Sequence, residues 1–428
     1  MLLSRISSMV SELSSTNSIL SKVRILQGFD DIRDFIKLMW DPQHTTGVTR
    51  KTLEDCLRQN PLLSHSYPTN ILDLLHGLYT RRLSGNHAKY AVISMTRLHP
   101  EHTDLILRIA DKNLKTRLTH KIINRAFPGL IPDFSVSLGN DKAKAEAYFS
   151  QEPTSWYISR KFDGVRCIVR VDGTRTACFS RNGHDLPAMN DLAYAAGTIF
   201  PPGTILDGEV CEVDENNLEC FHTAVSKIKR KSTVFRNFRF YVFDYLTHDE
   251  FDTHTSTRVL MDRYIDLGSI THTDDRIQIV HQHRYTDDVF ATMNRDVGIH
   301  GWEGLILRRN VPYKGIRSND VLKHKKFFTD EYVVMQIETS VMRVIDEETG
   351  LEVEEDMMKS VVIQHKGETV HVGSGFNHKQ RREYYTQPGL IVGRTIEVQY
   401  FEECRDSSGK VSLRFPTVKQ ICTKKRKL

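Results

Sequence analysis

The apolar periodicity of the chain changes along its length, and that change restricts the fold more than any other feature. Up to about residue 140, apolar residues recur at spacings of three and four, as in Ile32-Phe35-Ile36-Met39 and Ile71-Leu72-Leu74-Leu75-Leu78, which predicts helices throughout. From Ser155 to about Phe327 short β-rich runs alternate with helical ones. After Asp330 the segments Tyr332 to Ile337, Ser360 to His365, Glu368 to Val372, Thr395 to Phe401 and Val411 to Phe415 all read as strands. The expected architecture is multidomain α+β: an all-α domain (1–148), an α+β domain with an antiparallel core (149–326) and a small C-terminal β-barrel (327–428). Thr103 and Thr119 are the expected N-caps of a helix pair that Pro128-Gly129 stops. The polar stretch between Pro132 and Pro153 reads as a linker.

With 428 residues, 39% of them hydrophobic, the chain can build several packed cores. No apolar run approaches the roughly 18 residues that cross a bilayer, and the Ser-rich start lacks a signal-peptide core. The expectation is a soluble intracellular protein of cytoplasm or nucleus, without membrane contact; the basic run Lys424-Lys425-Arg426-Lys427 is compatible with nuclear import. Seven scattered cysteines without a Cys-x-x-Cys pair read as reduced thiols, not as a zinc site. Of the formal charge of +5, residues 1–140 carry the excess, with 18 Lys/Arg against 12 Asp/Glu. Arg108, Lys112, Lys115, Arg117, Lys121 and Arg125 decorate the helix pair, a pattern suited to a polyanion. The seven carboxylates from Asp346 to Asp356, turned at Thr349-Gly350, read as an exposed hairpin tip that would repel a polyanion.

Chemistry centres on Ser159-Arg160-Lys161-Phe162-Asp163-Gly164-Val165-Arg166. A strand runs into a turn at Asp163-Gly164 and another runs out, so Lys161 stands at a strand end. A lysine there is a candidate covalent nucleophile when burial or neighbouring cations favour its neutral amine; the plain alternative is a surface Lys in a hairpin turn. Further strand ends supply Glu209 and Glu303, carboxylates able to hold a ribose hydroxyl and an octahedral Mg²⁺. Phe243, within a buried strand, is able to stack on a purine, or is simply core. Lys323 and Lys325 alternate along a strand and share a face, toward phosphates or on an exposed edge.

Taken together, Lys161-Phe162-Asp163-Gly164-Val165-Arg166, Ser180-Arg181-Asn182-Gly183, Leu206-Asp207-Gly208-Glu209, Tyr241-Val242-Phe243-Asp244-Tyr245, Glu303-Gly304-Leu305-Ile306-Leu307 and Leu322-Lys323-His324-Lys325 resemble, in order and spacing, the motifs of ATP-dependent DNA ligases. Leu83-Ser84-Gly85-Asn86, Phe127-Pro128-Gly129-Leu130-Ile131-Pro132, Arg317-Ser318 and Val372-Gly373-Ser374-Gly375 extend the resemblance, toward the T-even bacteriophage and related viral or bacterial members. The resemblance implies a helical DNA-binding domain, a nucleotidyltransferase domain and a C-terminal OB-fold. It implies a monomer that seals nicked double-stranded DNA with ATP and Mg²⁺. Lys161 becomes the AMP-lysine, Arg166 and Glu209 hold the ribose, and Phe243 stacks on adenine. Arg181 grips the 5′-phosphate at the nick, Glu303 binds metal with Glu209 as second ligand, and Arg317, Lys323 and Lys325 contact nucleotide phosphates.

Two departures stand out. Ser159 sits near the adenine where the family often has Glu or Gln, so base selectivity rests more on backbone groups. Of the family's final Arg-x-Asp-Lys run only Lys425 fits. RNA ligases and mRNA-capping guanylyltransferases share the lysine motif, but the basic helical domain argues against both. A silent DNA-end-binding scaffold would have lost Lys161 or the carboxylates.

Overall fold

The computed structural model describes residues 2–59, 62, 66–151, 155–173, 175–213, 228, 235, 237–271, 273–346, 352–405 and 409–422. The tip of the acidic hairpin, Cys220 and the basic run Lys424–Lys427 lie outside them. The chain forms two compact units, Met1–Leu138 with Gly164–Ile279 and Val311–Arg317, and Gly139–Asp163 with Val280–Asn310 and Ser318–Leu428.

Among the described residues the first unit begins with eight α-helices: α1 (Leu2–Ser14), α2 (Ile19–Gln27), α3 (Arg33–Trp40), α4 (Arg50–Gln59), α5 (Ile71–Tyr79), α6 (Gly85–Leu98), α7 (Thr103–Ala110) and α8 (His120–Ala126). Their apolar stripes meet in one core, to which Ile6, Phe35, Ile36, Leu75, Val92, Ile106 and Ile123 contribute, each at most 1% exposed. Thr119 caps α8 by accepting from Ile122 N–H. Thr103 does not cap α7. A 3₁₀ turn at Pro100–His102 precedes the helix, Thr103 is its first residue, and its hydroxyl donates to the Pro100 carbonyl.

The same unit holds β3 (Val165–Val171), β4 (Thr176–Ser180), β5 (Thr204–Glu212), β6 (Phe238–Thr247) and β8 (Ile277–Ile279), which form a five-stranded sheet in the order β4-β3-β5-β6-β8, and β7 (Thr255–Val259) with β11 (Pro312–Lys314), which form a two-stranded one. All pairings are antiparallel except β6 with β8, which is parallel and departs from the expected antiparallel core. The stretch expected as a linker folds: Val136 is buried with Ile168, Ile205 and Leu246, and Phe134 and Leu138 pack beside them. Alternation of apolar residues at 134, 136 and 138 drives this packing.

The second unit contains the sheet β1-β12-β10-β2-β9, from β1 (Leu138–Asp141), β2 (Trp156–Lys161), β9 (His283–Arg284), β10 (Gly304–Arg309) and β12 (Arg317–His324). Trp156, Ile158, Leu305, Leu307 and Leu322 turn one face onto the helix Asp287–His300 and form a core with Met293 and Val297. Residues on the other face are therefore left to chemistry. C-terminal to this sheet come β13 (Phe328–Val333), β14 (Gln336–Ile345), β15 (Glu352–His365), β16 (Glu368–Val372), β17 (Thr395–Tyr400), β18 (Glu402–Arg405), β19 (Val411–Arg414) and β20 (Thr417–Ile421). Among the described residues eight strands replace the expected five: the run read as Tyr332–Ile337 breaks at buried Val334 into β13 and β14, and β18 and β20 were not foreseen, while β14 and β15 continue into a long hairpin. The hairpin was expected, and Ile345 pairs with Glu352 just below its tip.

Candidate functional site

The second unit gathers Lys161, Glu303 and Lys325. Lys161 ends β2 and donates to Oε2 of Glu303, which is 6% exposed and immediately precedes β10. Oε1 of the same carboxylate holds Lys325 Nζ at 2.6 Å. Gly304 makes this approach feasible. Its φ is +149°, and a Cβ there would lie 2.2 Å from the His324 carbonyl oxygen of β12.

Strand register puts the other expected groups on the same face. Ser159 opposes Ile306, and Ile306 opposes Lys323. Alternation then aligns Ser159 with Lys161 and Lys323 with Lys325. β12 lies between β1 and β10, so the two lysines do not mark an edge strand. Ser159 is fully buried, and its hydroxyl accepts from Arg308 Nη1 at 3.2 Å.

A contact invisible in the local sequence closes this region. Arg414 of β19 makes a bidentate pair with Asp163, two residues beyond Lys161, at 2.7 and 3.0 Å, and a further bond to Glu402 at 2.6 Å. Burial works against the Arg414 charge, but these two carboxylates outweigh it and raise the guanidinium above its ordinary range. The Lys325 ammonium stands 5.1 Å from the ring centre of Phe401 and 5.4 Å from that of Phe415.

The first unit carries a second set. Arg166 of β3 opposes Glu209 of β5 directly. Its guanidinium grips Asp207 through Nε at 2.5 Å and Nη2 at 2.6 Å, and Nη2 also reaches the Ser137 carbonyl at 3.1 Å. Burial disfavours the Arg166 charge, yet Asp207, followed by Glu209, more than offsets it and raises the pKa. Pairing of β5 with β6 shifts between Asp207 and Gly208, leaving Phe243 at a bulge between Val242 and Asp244. Phe243 is half-buried, with the Arg166 guanidinium 4.8 Å from its ring centre. Gly164 must lack a side chain, because a Cβ there would meet the Val210 carbonyl oxygen at 2.3 Å. Arg181 lies exposed in the turn after β4, and Arg317 is exposed at the start of β12.

Sequence reasoning missed Asp207, although strand alternation from Glu209 marks it as sharing that face. It also missed Arg414, for which no local signal exists. Among the described residues no group of three or more His, Cys, Asp or Glu is placed to hold a metal. A Mg²⁺ ion commonly rests on one or two carboxylates plus phosphates and water, so Glu303 fits such a role.

The basic helical surface needs correction. Arg108 pairs with Asp104 at 2.7 Å. Lys112 turns inward and donates to the carbonyls of Asp41 and His44, both at 2.7 Å, and burial lowers its pKa to about 8. Lys115 and Arg117 take φ values of 56° and 53° in the loop that follows. Lys121 and Arg125 are exposed as expected. No helix among the described residues is long and apolar enough to cross a membrane.

A lysine closing one strand, a carboxylate heading its neighbour, one lysine on the next strand with another just beyond its end, and a following set of OB-like strands define the nucleotidyltransferase class joined to an OB-like domain. Family models agree: one described as "ATP dependent DNA ligase domain" matches residues 138–325, and another described as "DNA ligase OB-like domain" matches residues 350–421. The chain thus carries the two ATP-dependent DNA ligase domains that these models describe. It is 34% identical over 98 residues to a DNA ligase of Archaeoglobus fulgidus, covering 22% of this chain and 18% of that protein. With "DNA ligase 2" of Haloquadratum walsbyi it shares 28% identity over 178 residues, 39% of this chain and 28% of that one. The matched parts thus span under a third of these relatives. Among solved structures, "Pmar-Lig_Pre." superimposes with a TM-score of 0.76 at 22% identity, covering 97% of this chain and 98% of its own.

Proposed function

We propose that this protein seals nicks in duplex DNA with ATP. In the first step Lys161 Nζ attacks the α-phosphorus; an N–P bond forms, the bond to pyrophosphate breaks, and the lysine proton leaves toward Glu303 Oε2. AMP then passes to the 5′-phosphate of the nick, and the 3′-hydroxyl displaces it. All three are phosphoryl-type displacements, in which positioning and charge neutralisation do most of the catalysis. The observation that carries this reading is the Glu303 carboxylate shared by Lys161 and Lys325, on the face that also presents Lys323.

Within this reading Lys323, Lys325 and Arg317 receive nucleotide phosphates, Arg166 and Glu209 the ribose, Phe243 the adenine, and Arg181 the 5′-phosphate. Mg²⁺ would be held by Glu303, with Glu209 as second ligand, and supplies charge neutralisation on the triphosphate. The working divisions are 1–148, 149–326 and 327–428, and the protein acts as a monomer in cytoplasm or nucleus.

Incubation with ATP labelled at the α-phosphate tests the reading directly. Label should attach covalently to the wild type and fall to background in Lys161→Ala and Lys161→Arg, since arginine stays protonated, while nick binding holds within about tenfold. Attachment of labelled GTP instead would point to a capping enzyme. Residues 1–131 should be dispensable for labelling but not for nick affinity. Their removal should flatten the salt dependence of binding in gel shifts. The cut must precede Phe134, which packs with the sheet core.

A further inference from the structure

We infer that Gln282 reads the adenine base, taking the role left open by Ser159; the inference rests on the nucleotidyltransfer proposed above. β9 pairs with β2 through His283 opposite Ile158 and Arg284 opposite Tyr157. Continuing that register by one residue sets Gln282 opposite Ser159, and directly opposed residues of antiparallel strands share a face. One row across the sheet therefore reads Gln282, Ser159, Ile306, Lys323, and the next pairs Lys161 with Gly304, beside which Lys325 follows directly on the end of β12. Gln282 stands on the chemical face, at the end away from the two phosphate-directed lysines.

Its side chain is the second observation. Gln282 is 5% exposed, and neither Oε1 nor Nε2 has a hydrogen-bond partner. A buried amide with both ends unmade is costly to the free protein and calls for a ligand with a matching edge. The Watson–Crick edge of adenine offers that match: its 6-amino group donates to the amide oxygen and its N1 accepts from the amide nitrogen. Ser159 is too short to serve, and its hydroxyl is occupied by Arg308. An amide can turn over to meet the reversed edge of guanine, so GTP is not the diagnostic competitor. The 6-desamino analogue, purine ribonucleoside triphosphate, is.

The experiment compares the full-length wild type with Gln282→Met, using ATP and its 6-desamino analogue. Equilibrium binding is measured with the non-transferable α,β-methylene forms, and covalent labelling with the natural ones. The wild type should favour the amino compound by about 10-fold or more, the discrimination expected when a buried polar group loses its partner. Gln282→Met should bring the ratio close to unity in both assays. Its melting temperature without nucleotide should stay level or rise, because an unpaired amide has been replaced by an apolar side chain of similar length. Should Gln282→Met fail to fold, Gln282→Ser carries the same expected loss of preference. An unchanged preference in the variant would overturn the assignment, as would a wild type that binds both compounds equally. Failure of the wild type to bind either nucleotide would instead overturn the underlying functional reading.

Discussion

The two five-stranded sheets handle charge in opposite ways. In the sheet built on β3 and β5, Arg166 is matched by one bidentate carboxylate, Asp207, and Glu209 faces it across the strands. In the sheet built on β2 and β10, Lys161 and Lys325 divide a single carboxylate, and Lys323 shares their face. The first arrangement is neutral or negative, suited to hydroxyl groups and a base; the second is positive, suited to phosphates. Paired charge holds a side chain in place, whereas an excess of one sign leaves it ready for an incoming partner of the other.

Breaking each pair should therefore have different results. Glu303→Gln should slow adenylation by about 10²–10³-fold, the usual loss on removing a preorganised electrostatic group. Its urea stability should fall by less than that of Asp207→Asn, since long lysine stems can turn their ammonium groups toward water, whereas the rigid Arg166 fork is held in place by its bidentate pair. Asp207→Asn strands the Arg166 guanidinium and should cost about 3 kcal/mol of stability. Equal stability losses in the two variants would refute the distinction.

A smaller effect should come from the Arg414–Asp163 pair, which ties β19 to the end of the lysine strand. Arg414→Ala and Asp163→Asn should each slow single-turnover sealing of a pre-adenylated nick by about tenfold, and the double variant little further, as expected for partners in one contact. Additive losses would mean that the residues act independently.

The weakest effect lies in the helices. Lys112 has a folded pKa of about 8, below its unfolded value, so between about pH 8 and 10.4 the unfolded chain binds more protons. This group adds stability as pH rises across that window, against the loss from buried tyrosines such as Tyr79, whose hydroxyl burial pushes up. Between pH 8 and 10 the urea midpoint should therefore climb by more, or fall by less, in the wild type than in Lys112→Met. The reverse difference would show that the ammonium, rather than the amine, is the form the fold prefers.

Lys161, Glu303, Lys323 and Lys325 were legible in sequence because strand alternation fixes which residues share a face, and the residue types limit what that face does. Alternation says nothing about which strands are neighbours. The Arg414–Asp163 contact joins residues 251 apart, and Gln282 acquires meaning only once β9 is seen beside β2. Phe243 was singled out, but the bulge that frees it from the core depends on how β6 pairs with β5. The inward turn of Lys112 was hidden for another reason: the carbonyls that receive it come from residues 41 and 44, after α3 has ended.

The pairing of β2 with β10 also sets an order of events during synthesis. Lys161 and its acceptor Glu303 are 142 residues apart, which at about 5–20 residues per second corresponds to roughly 7–30 s of translation. The helical core draws only on residues up to Ile131 and Leu130 and can close well before then. The strand bearing the nucleophile must therefore wait as an unpaired edge on the nascent chain, without its β10 partner, until the ribosome has released the segment that will receive it.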